Sequence, residues 1–277
     1  MAEKKNPRIR NVLPGFGLTM GFTVVYLSLI VLIPFAALLL HAAGVGWDKY
    51  WAIMADEQTL ASFKITFSMA FCAAVTNAVF GFVVAWVLVR YTFPMKRFVD
   101  AIVDLPFALP TAASGITLSM LYSRQGWIGQ WLPFKVTYSE TGIGIFVALT
   151  FIGLPFVVRT MQPAIYDIER ELEEVAASLG ATRWQTFWKV LFPGLLPALL
   201  TGFTMAFARA IGEYGSVIFI AAGSTTIVPQ LIVIKLENYD YTAATAIAAT
   251  MLIASFVLLF AINMLQLWGG RKYSRGR

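Results

Sequence analysis

Six stretches of the chain, at about 16–40, 65–89, 104–122, 141–161, 195–219 and 243–267, stay apolar for close to twenty residues or more. No other feature limits the fold so tightly. The hydrocarbon core of a bilayer is about 30 Å thick, which a helix crosses in about 20 residues. Hydrocarbon offers no partner to backbone N–H and C=O groups, so such runs fold as helices that bond internally. The expectation is an all-α polytopic membrane protein, one transmembrane domain over 1–277 with six transmembrane helices. Composition agrees: only 13% of residues are charged, about half the share of a soluble protein. The first run follows a basic segment, but at about 25 residues it is too long for a cleaved signal and reads as a retained helix.

The basic residues set the orientation. One side receives Lys4, Lys5, Arg8 and Arg10, then Arg90, Lys96 and Arg97, then Arg159, Arg170, Arg183 and Lys189, and finally Arg271, Lys272, Arg275 and Arg277. The other side receives Lys49, Lys64, Arg124, Lys135 and Lys235. Fifteen against five is a strong positive-inside bias, so both termini are expected in the cytoplasm. The formal charge of +6 follows from this layout. Nucleic-acid binding needs a concentrated basic face, and none is expected. Trp47, Tyr50 and Trp51, Trp127, Trp131 and Tyr138, and Trp268 fall at span borders, where amphipathic rings favour the headgroup zone.

A single cysteine, Cys72, and a single histidine, His41, leave no disulfide framework and no Cys/His metal cluster. Cys72 lies in an apolar run and reads as a small buried hydrophobe. The chain has no GxxxxGK[ST] loop and no HExxH, so no cofactor is expected in it.

The longest cytoplasmic segment, 163–193, is more than a turn. Ile168, Leu172, Val175, Ala176 and Leu179 recur at helical spacing among Glu169, Glu171, Glu173 and Glu174. Gly180 is placed to end that helix, Thr182 with Gln185 to cap a second, and Pro193 to mark the start of the fifth span. A helix of about ten residues is marginal in water, and its acidity disfavours the anionic leaflet. Docking on another protein is the better physical reading.

Within the fifth span, Arg209 and Glu213 stand four apart and are expected to pair on one helix face. Charges at that depth usually line a bundle interior or a watery path, so the pair is a candidate for gating or a translocation path, or for a structural ion pair; the two roles are compatible. In the third span, Pro106 and Pro110 each remove a donor and Gly115 weakens the helix. Broken backbone is tolerated at membrane depth where protein or a cavity surrounds it. Gly17 and Gly21 have a spacing that permits close helix contact.

The stretch EEVAASLGATRWQTFWKVLFP, 173–193, resembles the coupling loop of bacterial ABC-importer permeases. Val175 intervenes between Glu174 and the pair Ala176 and Ala177; Gly180 keeps its spacing, and Phe192-Pro193 stands where Leu-Pro is usual. The stretches 90–106, 104–122 and 207–223 are similar to the T-type sulfate/thiosulfate permeases, and the likeness runs over essentially the whole chain. The resemblance implies a type I ABC-importer permease fold in the bacterial inner membrane. It implies a W-type permease partner, two cytoplasmic ABC ATPases that bind ATP and Mg, and an extracytoplasmic sulfate-binding protein. The coupling helix would run from Glu173 to Leu179, with Glu173, Glu174, Ala176, Ala177, Leu179 and Gly180 facing the ATPase. A molybdate or tungstate permease is the near alternative, since like-shaped anions need a like path. A stand-alone secondary transporter would favour inverted repeats, which the sequence lacks. An intramembrane enzyme would need a nucleophile–base or metal constellation, also lacking.

Overall fold

The computed structural model describes residues 16–138, 141–221 and 225–274, and among these all regular structure is helical. The basic residues Lys4, Lys5, Arg8, Arg10, Arg275 and Arg277 lie outside the described residues. In chain order the helices are α1 (Phe16–Ala43), α2 (Trp47–Met54), α3 (Glu57–Arg90), α4 (Lys96–Val103), α5 (Leu105–Ala108), α6 (Thr111–Tyr122) and α7 (Ile143–Tyr166). They continue as α8 (Arg170–Ser178), α9 (Arg183–Ile211), α10 (Val217–Ile220), α11 (Val228–Glu237) and α12 (Tyr241–Ser274).

Five helices among the described residues, α1, α3, α7, α9 and α12, are long and apolar enough to cross a membrane. The expected third span is the exception. Proline forces its predecessor out of the helical region, and Leu109, before Pro110, is extended at φ −91, ψ 136. The run therefore splits into α5 and α6. Pro106 sits in the first turn of α5, where its missing N–H costs nothing.

The fifth span also differs from expectation in its extent. Helix α9 already begins at Arg183, and Pro193 stands in the first turn of its regular stretch Phe192–Ile211, the expected entry to the span. A proline ring inside a helix clashes with the carbonyl four residues back. That carbonyl, on Lys189, lies in a wide turn spanning Phe187–Leu191, which relieves the clash. At the other end α9 stops at Ile211, eight residues before the expected boundary at 219. Elsewhere the spans are longer than their apolar runs. Asp56 caps α3 by accepting from the Thr59 backbone N–H at 3.1 Å, and α7 continues through Pro155 and Pro163 to Tyr166.

The core is a three-helix bundle of α3, α7 and α9. In lipid there is little hydrophobic drive between helices, so close backbone approach and dispersion hold them together. Small residues provide that approach: Ala70, Ala73, Ala74 and Ala85 on α3, Ala148 on α7 and Ala206 on α9 are all buried. A Cβ on Gly81 would meet Val157 at 2.9 Å, and one on Gly153 would meet the Asn77 amide at 2.3 Å. α12 packs on α11, α9 and α1. The N-terminus of α11 is tied to α3, where Val228 N–H donates to Thr66 Oγ1 at 2.9 Å.

α1 buries none of its residues and leans on α12 through an edge-to-face contact of Phe35 with Phe256. Nothing lies within 4 Å of a Cβ placed on Gly17 or Gly21, so their close-contact spacing is not used among the described residues. Cys72 is exposed on the outer face of α3, contrary to the sequence expectation. An apolar run at membrane depth needs no interior, because lipid solvates both its faces.

Candidate functional site

The break after α9 is built around Glu213. A helix that ends at membrane depth leaves backbone polar groups without partners, and the turn 212–216 supplies them locally. Glu213 is 1% exposed. Its Oε1 accepts from Ser216 N–H at 2.9 Å and from Ser216 Oγ at 3.0 Å, while Oε2 meets Arg209 Nη1 at 2.5 Å. The expected Arg209–Glu213 pair therefore forms, but not on one continuous helix face, since Glu213 lies beyond the end of α9. One-third of the Arg209 side chain is exposed, so it is the more accessible partner of the two.

The broken helix pair packs on this turn. A Cβ on Gly115 would fall 2.4 Å from Ser216 O and 2.7 Å from Ser216 Cα, and one on Gly215 would fall 2.3 Å from Thr111 Oγ1. Backbone thus lies directly on backbone, and Gly115 is there for approach rather than to weaken a helix. Pro110 sets the corner where α6 begins, and its carbonyl accepts from Ser114 N–H at 3.0 Å. The structure therefore brings Pro110, Gly115 and Glu213 into one region, with Arg209 joined through Glu213. Pro106 is buried on α5, whose contacts go to α7 instead, as in the edge-to-face pair Phe107–Phe156 at 5.0 Å.

A polar cluster that the sequence did not point to fastens α4 and α5 to α7. Arg159 Nε donates to Asp104 Oδ1 at 2.7 Å and Nη2 to Oδ2 of the same carboxylate. Arg159 Nη1 donates to Asp100 Oδ1 at 2.8 Å and to Gln162 Oε1 at 2.6 Å, and Nη2 to the Asp100 carbonyl at 3.1 Å. Gln162 Nε2 completes the ring to Asp100 Oδ1 at 2.9 Å. The rigid guanidinium fork suits this bidentate geometry. Burial alone pushes the Asp100 carboxyl up, but hydrogen bonds from Gln162 and Arg159, with the charges of Arg159 and Lys96, outweigh it and hold Asp100 below its ordinary value. The legible signal was the four-residue spacing of Asp100 and Asp104 on the side to which the charge count also assigned Arg159.

Seven residues after Arg159, α7 ends, and the chain turns into α8. The expected helix–glycine–helix form is present. Leu179 closes α8, Gly180 N–H donates to Ala177 O and Ala181 N–H to Ala176 O, both at 3.0 Å. This six-to-one and five-to-two pairing requires a left-handed residue, and Gly180 has φ +80. Thr182 and Gln185 then form a reciprocal capping box. The helix presents Leu172, Val175 and Leu179 as exposed apolar groups, the last 82% exposed. Ala176 points inward and is buried, Ala177 and Glu174 are exposed, and Glu173 pairs with Arg90 at 2.7 Å.

Comparisons with known proteins fit this arrangement. Residues 77–275 match the family model described as a binding-protein-dependent transport system inner membrane component. The sulfate transport system permease protein CysT of Escherichia coli is 47% identical, covering 95% of this chain and 96% of its own length. The protein of the same name in Synechocystis is 49% identical over 90% of this chain and 88% of its own length. Among solved structures, a chain of a bacterial alginate ABC transporter superposes with a TM-score of 0.74 at 18% identity, covering 90% of this chain and 93% of that one. A chain of the MetNI methionine ABC transporter gives 0.60 at 21% identity over 76% and 96%. These structures share the fold. The chain belongs to the binding-protein-dependent transport system inner membrane component family.

Proposed function

We propose that this chain is the membrane-spanning permease subunit of an ATP-driven importer of sulfate and thiosulfate. The observation that carries the reading is the near-half identity to sulfate permeases from unrelated bacteria along almost the full length of each chain. The type I permease architecture gives six crossings, with α5 and α6 together acting as the third. The run from Leu105 to Tyr122 carries both pieces, α5 and α6, joined at the extended Leu109–Pro110 corner. Both termini then lie in the cytoplasm, in agreement with the positive-inside count, and the membrane is the bacterial inner membrane.

In this reading a W-type permease forms the other half of the path, and an extracytoplasmic binding protein delivers the anion. Two cytoplasmic ATPases bind ATP and Mg; this chain contributes a docking element and no nucleotide loop. α8, with its exposed Leu172, Val175 and Leu179 and its carboxylates Glu173 and Glu174, enters an ATPase cleft, and the Gly180 turn fixes its direction. A doubly charged anion is expensive to place in hydrocarbon and needs a protected polar path. Glu213 already neutralises Arg209 and holds the turn that α6 packs against. The pair therefore acts as a gate element joined to the broken span, and the anion is carried by other groups of the assembled path.

Complementation tests the assignment. A strain lacking its own T-type permease, given this chain, is expected to grow with sulfate as sole sulfur source at a rate near the parent. Growth on cysteine but not on sulfate or thiosulfate, with the chain present in the membrane beside the ATPase, overturns the substrate. Restored molybdate-dependent activity in a strain lacking its molybdate permease would assign the chain to the related oxyanion.

A further inference from the structure

We propose that Arg90 is the positioning residue that fixes the docking helix α8 to the membrane core, so that α8, α3 and the start of α9 move as one body. The proposal rests on the permease reading above and adds to it the point where α8 is held. α8 has nine residues, too few to stay helical or stay placed by its own hydrogen bonds. Among its described side chains only Ala176 is buried, and its large apolar groups face outward. Something else must hold it.

Arg90 is the last residue of α3, and 18% of its side chain is exposed. Its guanidinium carbon lies 5.2 Å from the centre of the Trp86 ring, and Nη2 is 2.7 Å from Glu173 Oε1 on α8. Arg90 Nε, Nη2 and Glu173 Oε1 are all sealed from solvent and make no well-aligned hydrogen bond, so the contact is ionic. The facing atoms are shielded from water, which strengthens the attraction between opposite charges, while 39% of the Glu173 side chain remains exposed. Trp86 is itself held: it stacks on Phe82 at 5.9 Å and meets Phe187 edge-on at 5.7 Å. Phe187 opens the wide turn of α9, where it also packs on Trp188 and Phe192. The end of α3, the wide turn of α9 and α8 thus converge on one arginine. A flap hinged at 167–169 and 179–182 would not carry force into the bundle; a helix pinned to α3 does.

Limited chymotrypsin digestion of inverted membrane vesicles holding the complete transporter tests the bracket without reference to substrate, because the exposed Tyr166 and Trp184 stand on either side of α8 and none of the variants below adds or removes an aromatic residue. Proteolysis of a folded segment follows the population of its opened form, so Arg90→Ala is expected to raise cleavage there by about five- to thirtyfold, the factor that 1–2 kcal/mol represents. The charge swap R90E/E173R is expected to bring it back to within about threefold of the parent, since the ion pair returns without the aromatic contact. Should the alanine variant not accumulate, Arg90→Lys is expected to give an intermediate rate. In the same vesicles, sulfate moved per ATP hydrolysed is expected to fall in Arg90→Ala and recover in the swap, with the ATPase still bound. Cleavage at the parent rate in Arg90→Ala, or a swap that restores neither readout, overturns the proposal. Vesicles that take up no sulfate in the parent, yet show the cleavage pattern, would remove the substrate assignment and leave the bracket standing.

Discussion

The contact of α6 with the turn after α9 makes Gly115→Ala the sharpest single perturbation. The added Cβ would lie 2.4 Å from Ser216 O, and ordinary contact begins at 3.4 Å, so about 1 Å of separation must open. The obstacle is backbone on the far side, which cannot rotate away as a side chain can. Overpacking of this kind costs about 1–3 kcal/mol, and it acts where it disturbs most. Ser216 N–H and Oγ both donate to Glu213 Oε1, so moving Ser216 loosens the carboxylate that pairs with Arg209. With about 2–4 °C of melting temperature per kcal/mol for a chain approaching this size, the variant should melt roughly 2–12 °C lower in detergent. Gly194→Ala is the matched control, because nothing lies within 4 Å of its Cβ and alanine gains about 1 kcal/mol in a helix interior. Both variants are purified with their partners, melted by intrinsic fluorescence and assayed for uptake. Equal melting of the two, with uptake unchanged in Gly115→Ala, would refute the close-packed contact.

Three further outcomes follow from the site. Gly180→Val should leave the complex assembled but slow uptake at least tenfold, since a left-handed residue costs a branched side chain about 1–2 kcal/mol; Gly180→Asn, which tolerates that conformation, should be milder, as uptake assays on co-purified complexes will report. Glu213→Gln keeps an acceptor for Ser216 but strands Arg209, and should cost roughly 1–3 kcal/mol in melting experiments, against no measurable change for Glu174→Gln on exposed α8. The folded Asp100 carboxyl is held below its ordinary value of 3.8. Its contribution is therefore fully present above that value and is lost as pH falls through the lowered one; the melting difference between parent and Asp100→Asn should be constant from neutral pH down to about 5 and shrink only below about 4.

What the sequence made legible was whatever depends on one segment at a time. The apolar runs behind α3, α7 and α12 are long and little interrupted, and the Gly180 turn and the Thr182–Gln185 cap are local chemistry written in adjacent residues. The boundaries that failed depend on competition between segments. Pro110 acts on Leu109 strongly enough to divide the third run, yet Pro155, Pro163 and Pro197 are absorbed within helices. α9 stops at Ile211 because Glu213 can satisfy Ser216 and α6 presses on the same backbone. Of the site residues, the pairing of Arg209 with Glu213 was readable from spacing. The use of Gly115 was not, because only the register of α6 against the turn shows that backbone lies there. The Arg159 cluster and the Arg90 bracket draw on two or more segments far apart in the chain. Arg159 and Arg90 enter the sequence reading only as basic residues of the cytoplasmic side, and only the fold brings them within bonding distance of Asp100, Asp104 and Glu173.

The most direct test of the account is ATP-dependent uptake of radiolabelled sulfate into vesicles reconstituted with this chain, its W-type partner, the ATPase and the binding protein, with molybdate as competitor. The account predicts accumulation that requires ATP, resists equal molybdate, and collapses in Gly180→Val while the ATPase remains bound. A fully assembled complex that hydrolyses ATP yet accumulates no sulfate would contradict it.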